Sequence, residues 1–135
     1  MSDKVFLDTN VLVYCYSSTE HAKQDVAVKI AQNAQAWVST QVLQELSNIL
    51  RRKFGKSWKD VQQAIDEVSN NFHVFTNELE TIRTAVQLAE RYGYSFYDSL
   101  ILSSSLVIGC STVFSEDMQH SQVIEGKLEI INPFI

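Results

Sequence analysis

The stretch Val5–Tyr14, VFLDTNVLVY, decides how this chain is read. Val5–Leu7 is a candidate buried strand, the carboxylate of Asp8 closes it, and Thr9 and Asn10 follow before the apolar pattern resumes. Burying an unpaired charge is costly, so Asp8 needs a partner, a helix to cap, or a metal to hold. The rest of the chain has to choose among these.

Outward from that stretch, short β-rich runs alternate with longer helical patterns. Further candidate strands are Trp37–Ser39, Val74–Phe75, Thr112–Phe114 and Leu128–Ile131. Helical patterns lie near residues 10–16, 21–34, 41–54, 58–70, 78–92 and 96–108. The pattern at 58–70 is the clearest. Trp58, Val61, Ile65, Val68 and Phe72 keep a three-four spacing, and Ser57 with Asp60 resembles a capping box. Gly93 and Gly109 are placed to stop the last two helices. Strands alternating with helices imply an α/β fold, a three-layer α/β/α sandwich with a central parallel sheet. One proline, four glycines, no repeat and no linker point to a single domain over residues 1–135. In such a sheet ligands gather at the C-terminal strand ends, where Asp8 stands.

Composition narrows the function. No run approaches the ~20 apolar residues of a membrane span, and the start, MSDKVFLDTN, carries an acid and passes straight into the fold pattern, so no signal peptide is expected. Cys15 and Cys110 are isolated and read as free buried thiols, which suits a reducing cytoplasm. His21, His73 and His120 show no zinc spacing. The net charge of −5 argues against coating nucleic acid by bulk electrostatics. The bases are clustered, however: Arg51, Arg52, Lys53, Lys56 and Lys59 are five of the eleven Lys and Arg. Such a run suits a helix C-terminus closed by Gly55, and equally a nucleic-acid patch.

Four acids occupy awkward positions. Taken singly, Asp8, Asp98 and Asp117 read as caps, and Glu45 as a solvated helix residue. Yet Glu45 falls about 40° from Ile49, at the edge of the stripe of Val42, Leu43, Leu46, Ile49 and Leu50. Asp98 lies in SFYDSLILSSSLVIG, a helix apolar nearly all round, whose small Ser103, Ser104 and Ser105 admit close neighbours. Strand ends and helix starts of a parallel sheet share one side, so all four acids are able to converge. Two carboxylates ~5 Å apart at an effective dielectric of ~20 repel by roughly 3 kcal/mol. Several such pairs rival a domain's whole stability of about 5–15 kcal/mol. Protonation or a hard cation must relieve that repulsion. Oxygen-only ligands favour Mg²⁺ or Mn²⁺, and acids around such ions carry out phosphoryl-transfer chemistry.

VFLDTNVLVY, TQVLQELSNIL, SFYDSLILSSSL and VFSEDMQH…IEGKLEIINPF, in this order over essentially the whole chain, resemble the PIN-domain family. The likeness is greatest to its VapC-type bacterial ribonuclease toxins. The resemblance implies an α/β/α sandwich, a Mg²⁺- or Mn²⁺-dependent endoribonuclease cutting single-stranded RNA, a cognate antitoxin and a homodimer. By position, the family's acidic quartet falls on Asp8, Glu45, Asp98 and Asp117, with Asp8, Asp98 and Asp117 as metal ligands. The polar helper falls on Asn10 and the small hydroxyl on Ser115. Arg51 and Arg52 are the candidate contacts to the RNA backbone. One departure is Ser121, where the family often carries a glycine after the position of His120; it puts the shape of the last loop in question.

Two other readings are weighed. A phosphohydrolase with Asp8 as nucleophile would want a second Asp two residues on, where Asn10 stands. A non-catalytic PIN-like binding module would not need all four acids intact.

Overall fold

In a computed structural model, residues 3–135 are described; Met1 and Ser2, the first two residues of the expected domain, lie outside them. Among the described residues, six strands form one sheet in the order β3-β2-β1-β4-β6-β5. They are β1 (Val5–Leu7), β2 (Ala36–Ser39), β3 (His73–Phe75), β4 (Thr112–Phe114), β5 (Val123–Ile124) and β6 (Leu128–Ile131). The helices are α1 (Thr9–Leu12), α2 (His21–Ala31), α3 (Thr40–Arg52), α4 (Trp58–Asn71), α5 (Leu79–Tyr92) and α6 (Phe96–Ile108). The helix expected over 10–16 is in two parts, α1 and a 3₁₀ turn over Val13–Tyr16. The one expected over 21–34 ends earlier, at Ala31.

The sheet is parallel from β3 through to β6, and only β5, at the edge, runs antiparallel. The parallel core is the expected one; the edge hairpin is an addition. Its signal is Glu125–Gly126, a turn pair between Ile124 and the alternating Leu128 and Ile130. Both residues have positive φ, 53° and 65°, and the Lys127 N–H closes onto the Ile124 carbonyl at 3.0 Å. Two left-handed residues open this three-residue loop and turn the chain back along the partner strand.

Strand order positions the site. From β1 the chain steps outward through β2 to β3, then returns across the sheet to β4 on the other side of β1. Right-handed crossovers put α1–α4 on one face and α5 and α6 on the other. The result is a three-layer α/β/α sandwich. Phe6, Leu7, Val38, Val113 and Ile130 are buried in the sheet, sealed by Leu46 and Leu50 of α3 and Ile101 and Leu102 of α6. The order reverses between β1 and β4, and the C-terminal ends of that pair form the crevice where α/β sheets take ligands.

Candidate metal-dependent active site

Asp8 stands at this crevice. Its N–H donates to the Phe114 carbonyl at 2.9 Å, so the residue is still held by the sheet as β1 ends. The side chain does cap the next helix: Oδ1 accepts from the Thr9 N–H at 2.7 Å. Capping leaves Oδ2 engaged elsewhere. It accepts from the Ser115 hydroxyl at 2.9 Å and from the Asn10 amide at 3.3 Å. Ser115 is fully buried just beyond β4, so the neighbouring strands place the hydroxyl and the carboxylate together.

The other three acids arrive from three elements. Asp117 follows Ser115 by two residues, and its Oδ2 accepts from the same Asn10 amide at 3.1 Å. Asn10 thereby links Asp8 to Asp117, and its own carbonyl is fixed by the Glu116 N–H at 3.0 Å. Glu45 comes from the second turn of α3 and accepts from the Thr9 hydroxyl at 2.8 Å. Asp98 lies in the first turn of α6, whose N-cap Ser95 accepts from the Asp98 N–H at 3.2 Å. Gln41 ties α3 to α6 by donating to the Tyr97 carbonyl at 3.1 Å. The two helices thus bring Glu45 and Asp98 in from opposite faces of the sheet. Gln41 also has a buried carbonyl oxygen without a hydrogen-bond partner in the protein.

Electrostatics records the crowding. Asp8 is 5 % exposed, and its pKa is pushed up to about 7, first by burial and further by Glu45 and Asp98, against the lowering hydrogen bonds from Ser115 and Thr9. Glu45 is raised by burial and by Asp98. Asp98 is raised by burial and by Asp117. The ion pairs of Lys23, Arg83 and Arg91 go to Glu116, Glu80 and Glu125, so none of them neutralises the quartet. Among the described residues no three acids close into a compact ligand cluster; neutral groups, Thr9, Asn10 and Ser115, stand between them. The donor set still fits a hard divalent cation. It is all oxygen, rich in carboxylate, and burial at Asp8 disfavours charge that only a cation would balance.

The sequence candidates separate here. Asp8, Asn10, Glu45, Asp98, Ser115 and Asp117 meet around the crevice. Arg51 and Arg52 sit exposed at the end of α3. Arg51 stacks over the Trp58 ring, 4.8 Å from its centroid, and donates to the Lys56 carbonyl at 3.1 Å. One participant was not anticipated, Gln41. Its signal was present: an amide one helical turn before Glu45.

A family profile for the PIN domain matches residues 5–125. No curated protein matches the chain. Several solved structures do. A toxin–antitoxin complex from Klebsiella pneumoniae superposes with a TM-score of 0.72 at 19% identity, over 96% of this chain and 98% of that one. VapC20 from Mycobacterium tuberculosis, described as a sarcin-ricin loop cleaving toxin, gives 0.69 at 20% identity, over 84% and 92%. VapBC2 from Rickettsia felis, bound to a DNA fragment from its promoter, gives 0.67 at 19%, over 95% and 98%. At these identities the neighbours establish the fold, while the profile spans most of the chain, and the chain belongs to the PIN-domain family.

Proposed function

We propose that the protein is a Mg²⁺- or Mn²⁺-dependent endoribonuclease that cuts single-stranded RNA, and that it is the toxin of a toxin–antitoxin pair. One observation carries the reading: a nearly buried carboxylate, Asp8, gathered with Glu45, Asp98 and Asp117 at the sheet's switch point, while the ion pairs of Lys23, Arg83 and Arg91 go to other acids. Asp8, Asp98 and Asp117 would hold the ion. When bound, it would supply activation of water and stabilisation of the leaving oxygen. The protein's own groups do the rest. Asn10 and Ser115 hold the Asp8 carboxylate in one orientation, and Asn10 keeps Asp117 beside it. Glu45, whose pKa burial raises, would serve as the proton acceptor and is steadied by Thr9. Arg51 and Arg52 contribute positive potential at the end of α3.

Structures of VapBC complexes among the neighbours support a protein antitoxin as partner. A homodimer is supported by an exposed apolar stripe on α5: Leu79, Ile82 and Val86 are 61%, 41% and 55% exposed at three-four spacing. No helix among the described residues is long and apolar enough to cross a membrane, in keeping with a cytoplasmic enzyme.

The test is cleavage of total RNA with Mg²⁺, with Mn²⁺ and with EDTA, followed by analysis of the product ends. Cleavage that needs the metal and leaves 3′-hydroxyl and 5′-phosphate ends is expected. Activity resistant to EDTA, or 2′,3′-cyclic phosphate products, would overturn the reading.

A further inference from the structure

The basic cluster at the end of α3 looks uniform in sequence, but the structure divides it. Arg51 is turned toward Trp58 and tied to the Lys56 backbone. Lys53 instead lines a cleft of about 470 Å³ whose other walls include Asn10, Asp117, Tyr14, Thr19 and Phe54. Phe54 and Thr19 also line a second cleft, of about 270 Å³, that reaches Lys56. The two clefts share these residues and Ser17, so they form one groove that starts at the carboxylates and runs past Phe54 to Lys56.

The end of α3 builds this wall. The Lys53 and Phe54 N–H groups both fold back to the Ile49 carbonyl, at 2.8 and 3.2 Å, and the Lys56 N–H reaches the Leu50 carbonyl at 3.0 Å. Gly55 makes that turn with φ at +64°, a conformation side chains disfavour. Two lysines are thereby held on either side of a half-buried phenyl ring. That spacing of cation, aromatic and cation suits a polyanion whose bases are unpaired, because a base needs a π-face to stack on and each phosphate a charge. A duplex, with its bases stacked inside, offers no free face to Phe54. The net charge of −5 opposes nucleic acid elsewhere on the surface, so attraction must be local.

We propose that this groove carries the RNA strand on one side of the cut, with Phe54 as the stacking platform for one base and Lys53 and Lys56 as the phosphate contacts. The inference rests on the reading of the carboxylates as an RNA-cutting site and says which flank of that site holds the substrate.

Binding of a fluorescent eight-nucleotide single-stranded RNA, followed by anisotropy in EDTA over a salt series, tests it without cleavage. Wild type should bind, with affinity falling as salt rises. Lys53→Gln and Lys56→Gln should each flatten the log–log salt slope by about 0.7. Phe54→Leu should weaken binding about five-fold or more, and Phe54→Tyr should restore it. Arg83→Gln, an equal loss of charge on α5, should change nothing. Scanning single abasic sites through the oligonucleotide reads the same stacking on wild type without touching the fold: one position should be costly. Failure of wild type to bind, an unchanged salt slope in both lysine variants, or an abasic scan without a costly position would each overturn the groove. Wild type that binds through these residues but leaves RNA uncut in Mg²⁺ would sink the nuclease reading and spare the groove. Cleavage by wild type with binding unaltered in the variants would do the reverse.

Discussion

Asp8 stands where ionisation is opposed. Its pKa in the folded chain, about 7, lies above the ordinary 3.8, chiefly through burial. The fold therefore favours the protonated acid. That contribution to stability is complete below the unfolded value and is lost as pH rises through about 7. In EDTA, wild type should lose stability between about pH 4 and pH 8 relative to Asp8→Asn, by a few kcal/mol at the upper end. Excess Mg²⁺ should recover it for wild type and much less for the variant, which should also cease to cut RNA. Asp98→Asn should behave alike but more weakly, since that acid is only half-buried. A residue that serves only as a cap gives a different pattern, because asparagine caps well and alanine costs roughly 0.5–2 kcal/mol. Melting curves in EDTA and in Mg²⁺ at several pH values distinguish the two. An unchanged Mg²⁺ shift in an Asn variant that still cuts would end the ligand reading for that residue.

Among the elements, the segment after β4 carries the most: Ser115, Glu116 and Asp117 each face a different task. Glu116 does not join the quartet. Its carboxylate accepts from Lys23 of α2 at 2.6 Å and from the Tyr14 hydroxyl at 2.7 Å, while its N–H orients Asn10. On the proposed function, Lys23 would position Asn10 through Glu116. Lys23→Met should lower kcat about ten-fold with KM little altered, and Lys23→Arg should rescue it. A loss confined to KM would recast Lys23 as a contact to the RNA. Further along the same segment, Ser121 takes the left-handed conformation, φ 70°, and its N–H donates to the Ile130 carbonyl at 2.7 Å. The loop therefore keeps a backbone conformation that favours glycine, despite the serine. Ser121→Gly should raise stability in urea by up to about 1 kcal/mol. A destabilised variant would show that the serine side chain matters more than the backbone it strains.

On the scale of the whole molecule, the candidate site and the apolar stripe of α5 share no residue, so assembly and chemistry should separate. Val86→Glu should shift a homodimer to monomer in sedimentation while the apo melting behaviour of Asp8 persists; a variant with unchanged mass would remove the stripe from the dimer interface. The elements themselves were legible because their signals are local. Three-four spacing in α4, Ser57 as its cap, and Gly93 and Gly109 as stops act within a few residues and were found where expected. The alternation of strands and helices was enough for the layered fold, and motif order was enough to nominate six candidate residues that the fold brings around one crevice. The tertiary structure decided what depends on residues far apart. Strand order put β1 beside β4, and only that pairing lets Ser115 donate to Asp8 across 107 positions. The short edge strand β5 escaped notice because two residues carry no period. The basic run was ambiguous for the same reason: sequence reports charge, whereas direction is set by the turn at Gly55 and the neighbour each side chain meets. Arg51 met Trp58, Lys53 met the cleft beside Asp117, and only the packing of α3 against the rest of the fold could separate them.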